Sequence, residues 1–184
     1  MSSPGAQTGV SPRGPGASAD TVLMAKVFTG LRIFTGLVWL SNGVAKLIGK
    51  AAYDFGFISF NLVDRGVSES ILKDATSRTY IAPLGAFYRN VVLPHYGFFG
   101  WFLTFTELAI GLGLVLGVLP RAAALGGLLL IGPIYIMLLH TNLYLWQYPA
   151  EDLLPLVLLT IVPTWSRSGF AQKIRGRLPQ RWPF

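Results

Sequence analysis

The sequence contains no cysteine. Disulfide staples, thiolate metal sites, iron–sulfur clusters and thiol–disulfide exchange are therefore excluded. Charge is scarce too: 12% of the 184 residues are charged, about half the ~25% usual in a water-soluble domain. Metal-ligand spacing such as HxxxH, Gly-rich phosphate loops and catalytic-triad patterns are all missing, so no metal is expected. His95 lies outside the apolar stretches, which leaves no histidine pair on facing membrane helices to ligate haem. No covalent cofactor is implied.

What is present in quantity is apolar residue, 52% of the chain. One domain of this length cannot hide that much apolar surface from water, whereas a bilayer can. The formal charge of +7 does not point to nucleic acid. Five of the fifteen basic residues, Arg167, Lys173, Arg175, Arg177 and Arg181, crowd into the last eighteen positions. That is the usual flank of a transmembrane helix facing an anionic leaflet.

Residues 1–20, rich in Ser, Gly, Pro and Ala, read as a disordered cytoplasmic tail without the basic start and apolar core of a cleavable signal. Four apolar stretches follow, at about 27–48, 98–119, 122–139 and 150–165. The first two reach about 30 Å as helices, a full hydrocarbon thickness, while the last reaches roughly 24 Å and carries Pro155 and Pro163. The fold expected is all-α: a four-transmembrane-helix bundle over residues 21–165, with short external helices between spans 1 and 2. The segment of about 50–96 forms the external cap. Within it, Ser68 is placed to cap a short helix through Lys73, and the run from Ile81 to Phe99 suits a helix lying in the interface. Residues 166–184 form a basic cytoplasmic tail. Arg13, Lys26, Arg121 and that tail fall on one side, so the positive-inside rule puts both termini in the cytoplasm.

Polar groups inside the spans are the functional candidates, because intramembrane charge is costly. Glu107 lies about 15 Å into the second span, close to the midplane. Gly111 and the Gly113–Gly117 pair give its helix small-residue surfaces for close approach. Asn42 and Lys46 share one face of the first span, one turn apart, and Arg32 lies nearer its other end. With all spans trimmed to common boundaries, Lys46 and Glu107 differ by about 12 Å in depth, which leaves Asn42 the easier partner for the carboxyl. Lys46 and Arg32 also read as interfacial anchors. His140 and Asn142 mark the exit of the third span, followed by Glu151 and Asp152.

In order along the chain, these residues resemble the DoxX family of small four-helix membrane proteins. The closest likeness is to its DoxD-like branch, the small subunit of thiosulfate:quinone oxidoreductase. The resemblance begins at Leu31-Arg32-Ile33 with Gly36, Trp39-Leu40, Gly43 and Lys46-Leu47. It is densest from Phe87 to Gly127, with the Asn-Val-Val-Leu-Pro run, Glu107 with Gly111, and Ala-Ala-Leu-Gly-Gly; Thr141-Asn142 recurs at the outer turn. It implies a bundle in a bacterial plasma membrane that serves a redox or respiratory complex with a separate partner subunit. Quinone would then bind near Glu107, helped by Asn42, Lys46 or Arg32, with His140 and Asn142 as further ligand-binding candidates. Any enzymatic role would be that of the quinone-interacting subunit of an oxidoreductase. Two other readings stay open: a non-catalytic scaffold or accessory subunit, and a small-molecule transporter or lipid-binding protein using the same carboxyl.

Overall fold

Helix formation follows the apolar runs, and proline and glycine set the ends. The computed structural model describes residues 19–139 and 149–162. Its first helix, α1 (Ala19–Ile48), is about 45 Å long. A β-hairpin follows, β1 (Ala52–Asp54) and β2 (Ser59–Asn61), antiparallel with Tyr53 opposite Phe60. Next come α2 (Arg65–Arg78), α3 (Ala82–Phe87) and a π-helical turn at Tyr88–Val92 that ends before Pro94. The long helices α4 (Tyr96–Leu116) and α5 (Pro120–Leu138) are joined by a tight turn. A second π-helical turn (Pro149–Leu153) leads into α6 (Leu154–Ile161).

The chain is mostly helical, and among the described residues three helices are long and apolar enough to cross a membrane: Val22–Ile48 of α1, α4 and α5. Their outward faces carry Phe34, Phe98, Phe105 and Leu129. An apolar exterior of that extent is a lipid-contact surface, and the chain is a membrane protein. The fourth helical stretch is shorter than its expected span of 150–165. Pro163 disfavours helical geometry in the residue before it, and Val162 is extended. With its π-turn, the stretch reaches roughly 20 Å at most.

Helices α1 and α4 pack antiparallel and close. Gly43 faces Leu108, Gly111 faces Leu40 and Gly36 faces Val115. A methyl group added at Gly111 would fall 2.7 Å from the Leu40 nitrogen. Gly117 also caps α4 at φ +67°, and Val118 N–H returns to the Gly113 carbonyl at 2.9 Å. That left-handed cap suits glycine. Pro120 then opens α5, where a missing N–H costs nothing, so this helix begins earlier than 122.

One apolar cluster, Trp39, Ile110, Leu114, Ala124, Leu156 and Leu159, joins α1, α4, α5 and α6. A second, Leu72, Ala75, Val92, Met137 and Leu138, fastens α2 and the first π-turn to the end of α5. The segment between α1 and α4 thus covers one end of the bundle. Two expectations for it are corrected. It contains a hairpin as well as helices, because Asp54 and Gly56 (φ +79°) form a turn between two aromatic strands. The cap of α2 is Asp64, whose Oδ1 accepts from Val67 N–H at 2.8 Å, and Ser68 instead lies inside the helix. Asp64 stands where a side-chain oxygen reaches the free amides of the first turn, and its charge suits the helix dipole.

Candidate functional site

The antiparallel register decides where Glu107 sits. Matching Gly43 to Leu108 and Gly36 to Val115 staggers the two helices. The end of α1 lies level with Leu103 in α4, and α4 continues about 10 Å further. Lys46, in the last turn of α1, therefore meets Glu107: its Nζ is 2.9 Å from Glu107 Oε2, with the lysine 2% and the glutamate 12% exposed. The expected 12 Å offset assumed helices cut at common levels; the stagger removes it. The ammonium also donates to the Val63 carbonyl at 2.8 Å.

Asn42, one turn earlier, does not pair with Glu107. Its Oδ1 accepts from Val63 N–H at 2.9 Å and its Nδ2 donates to Val38 O at 3.2 Å. Both peptide groups of Val63, which links the hairpin to α2, are thus held by α1. On the far side, the Tyr96 hydroxyl contacts that of Ser68 and lies 3.2 Å from the Arg65 carbonyl. The Arg65 guanidinium stacks 3.9 Å from the Trp101 ring centroid.

Lys46, Glu107, Asn42, Val63, Ser68 and Tyr96 line a cavity of about 150 Å³ between α1, α2, α4, α5 and the turn before α6. Val38, Leu72, Leu103, Leu130, Ile131 and Ile134 supply apolar wall; Asn42, Lys46, Ser68, Tyr96, Glu107 and Asp152 supply polar groups. Trp39 lines it as well. Its indole is 6% exposed, packs beside Gly127, and its Nε1–H has no protein acceptor among the described residues. A buried donor without a partner costs about 1–3 kcal/mol. Glu107 Oε2 has the lysine as ion-pair partner but no aligned hydrogen-bond donor.

Arg32 is elsewhere. Buried at 2%, it donates through Nη1 to the Leu114 carbonyl and, at 3.2 Å, to Val115 O. It closes the last turn of α4, where carbonyls lack helical partners and the dipole favours a cation, and it does not line the cavity. His140 and Asn142 lie outside the described residues. Among the described residues no three His, Cys, Asp or Glu side chains gather as metal ligands would.

No family model, curated protein or solved structure matches the chain. Trp39, Tyr96 and Ser68 carry no motif that marks them as site residues. One signal was available: tryptophan favours the ends of membrane helices, and Trp39 stands well inside one.

Proposed function

We propose that this chain is a DoxX-like integral membrane protein that binds a quinone head group beside Lys46 and Glu107, as the quinone-interacting subunit of a membrane redox complex. The observation that carries this is the cavity itself. It holds about 150 Å³, and an apolar cavity of that volume accepts one benzene-sized ring. The ring of a quinone differs from benzene by two carbonyl oxygens that need donors. The free Trp39 indole N–H and the Lys46 ammonium are donors of that kind. Reduction of a quinone consumes two electrons and two protons. The electrons would come from a separate redox partner; one proton would pass from the Lys46 ammonium of the Lys46–Glu107 pair to a carbonyl oxygen and be replaced from water, and the second would reach the other carbonyl oxygen from water.

The same reading takes α6 as part of a fourth crossing. It packs against α5 and α1, and Arg121 Nη2 donates to the Ile161 carbonyl at 2.6 Å, tying the start of α5 to the end of α6. Both termini would then be cytoplasmic in a bacterial plasma membrane, with the α2–α3 segment on the outer side. A reporter fused after Phe184 and found outside would overturn that orientation.

The ligand is tested by purifying the protein in native lipid and identifying quinone in the wild type and in Glu107→Gln, whose folding is checked by thermal unfolding. Quinone retained by the wild type and depleted in a folded Glu107→Gln is the expected result. A wild type free of quinone, and unresponsive to a short-chain quinone followed by tryptophan quenching, would falsify the proposal.

A further inference from the structure

The β1–β2 hairpin exposes an unusual surface. From Phe55 to Val63 no residue is charged, and Phe57 at the turn is 90% exposed, with Phe55, Ile58 and Phe60 also outward. The aromatics are ordered among themselves: Phe60 stacks on Tyr53 at 5.4 Å and lies 6.0 Å from Phe55, while Lys50 Nζ sits 5.0 Å from the Tyr53 ring. A plate of stacked rings facing outward costs free energy in water, at roughly 25 cal/mol per Å² of apolar area.

Its position says what covers it. Only Gly49–Ala51 separate the hairpin from α1, whose outer face ends in exposed Val44, Leu47 and Ile48. The apolar lipid-contact surface of the helix therefore runs on into the hairpin. Because α1 ends about 10 Å short of the α4 start, the hairpin begins at the level where α4 turns Phe98, Trp101 and Phe102 outward. Tryptophan and tyrosine favour the head-group layer of a bilayer. The backbone agrees: a two-stranded sheet has two open edges, which exclude it from the hydrocarbon but are satisfied by water among head groups.

We propose that the β1–β2 hairpin is a membrane-interface anchor, with Phe55, Phe57, Ile58 and Phe60 seated in the head-group layer of the bilayer that the helices cross. The anchor depends on the membrane placement of the helices and is independent of what fills the cavity. It would hold the Val63 linker, and with it the wall of the cavity, against the membrane surface.

The absence of cysteine makes the test direct. Phe57→Cys carries a nitroxide in full-length protein reconstituted into phosphatidylcholine–phosphatidylglycerol vesicles. Leu129→Cys on the outer face of α5 and Ser77→Cys on the exposed side of α2 serve as references. Power saturation is measured with oxygen, which partitions into lipid, and with a water-soluble nickel chelate. The expected result is a ratio of oxygen to nickel accessibility at position 57 several-fold above that at 77 and approaching that at 129. A ratio at 57 equal to that at 77, with 129 still shielded from nickel, overturns the anchor while leaving the membrane placement intact. Shielding from both reagents, with spin–spin broadening that disappears on dilution with lipid, would identify a second copy as the cover and also overturn it.

Discussion

Lys46 Nζ stands 2.9 Å from Glu107 Oε2 although one residue ends its helix and the other lies at the middle of its own. The pair exists because α1 and α4 are staggered. The same ammonium holds the Val63 carbonyl, so a single buried cation joins α1, α4 and the segment that covers them.

Removing one member of this pair strands the other charge in an apolar setting. Glu107→Leu and Lys46→Met should each cost about 3–5 kcal/mol of stability. The double variant should recover most of this and retain about 1 kcal/mol of deficit for the abandoned Val63 carbonyl. Chemical unfolding in micelles measures all four states, and strictly additive losses would show that the two side chains do not interact.

Close approach of α1 and α4 depends on the glycines between them. Gly111→Val should separate the helices and lower stability by about 1–3 kcal/mol or more, since even a Cβ would crowd the Leu40 backbone. Gly30→Ala is the matched control: nothing lies within 4 Å of the added carbon, and alanine is the better helix former by about 1 kcal/mol. Thermal unfolding should move in opposite directions for the two.

Trp39 and Arg32 separate ligand contact from scaffold. Trp39→Phe keeps a ring in the core and deletes the free N–H, so short-chain quinone should bind about tenfold more weakly, roughly 1.4 kcal/mol. Its unfolding temperature should change little. Arg32→Gln should do the reverse, losing about 1–3 kcal/mol of stability as the end of α4 loses the guanidinium that binds the carbonyls of Leu114 and Val115, and leaving quinone affinity unchanged. Equal effects of both variants on affinity would contradict this division.

The hairpin turn should respond to acid. Asp54 accepts from Gly56 N–H at 2.9 Å and from the Ser59 hydroxyl at 2.8 Å, and these bonds, the backbone one first, hold its carboxyl below the usual range. A depressed folded value means the stabilisation is complete above the unfolded value of about 3.9 and fades as pH falls through the folded one. Spin-label mobility at position 57 should be constant from neutral pH down to about 5 and rise only below about 4. Asp54→Asn should abolish the pH dependence; a transition near neutrality would assign the effect to another group.

Burial acts on Tyr88 in the opposite sense, raising its phenol above the ordinary range. This agrees with its packing among the cluster that fastens α2 to the end of α5.

The sequence by itself determined the membrane class and the three long helices. Apolar length and missing charge are properties of contiguous residues, and the bilayer reads them one helix at a time. It also singled out Glu107, Asn42 and Lys46, because a polar group within an apolar run is visible without knowing its neighbours. Helix ends were less legible: the expected spans ran past the Gly117 cap, began after Pro120 and continued through Pro163, although glycine and proline set the observed ends of α4 and α5. Only the tertiary structure decided the depth at which α1 and α4 meet, since that depends on which glycine faces which backbone. That register turned a 12 Å mismatch into an ion pair, sent Asn42 to Val63 and Arg32 to the end of α4, and brought Trp39 to the cavity wall. Contacts between helices depend on their relative shift along the axis. The composition of either helix does not encode that shift; the close packing of the two surfaces does.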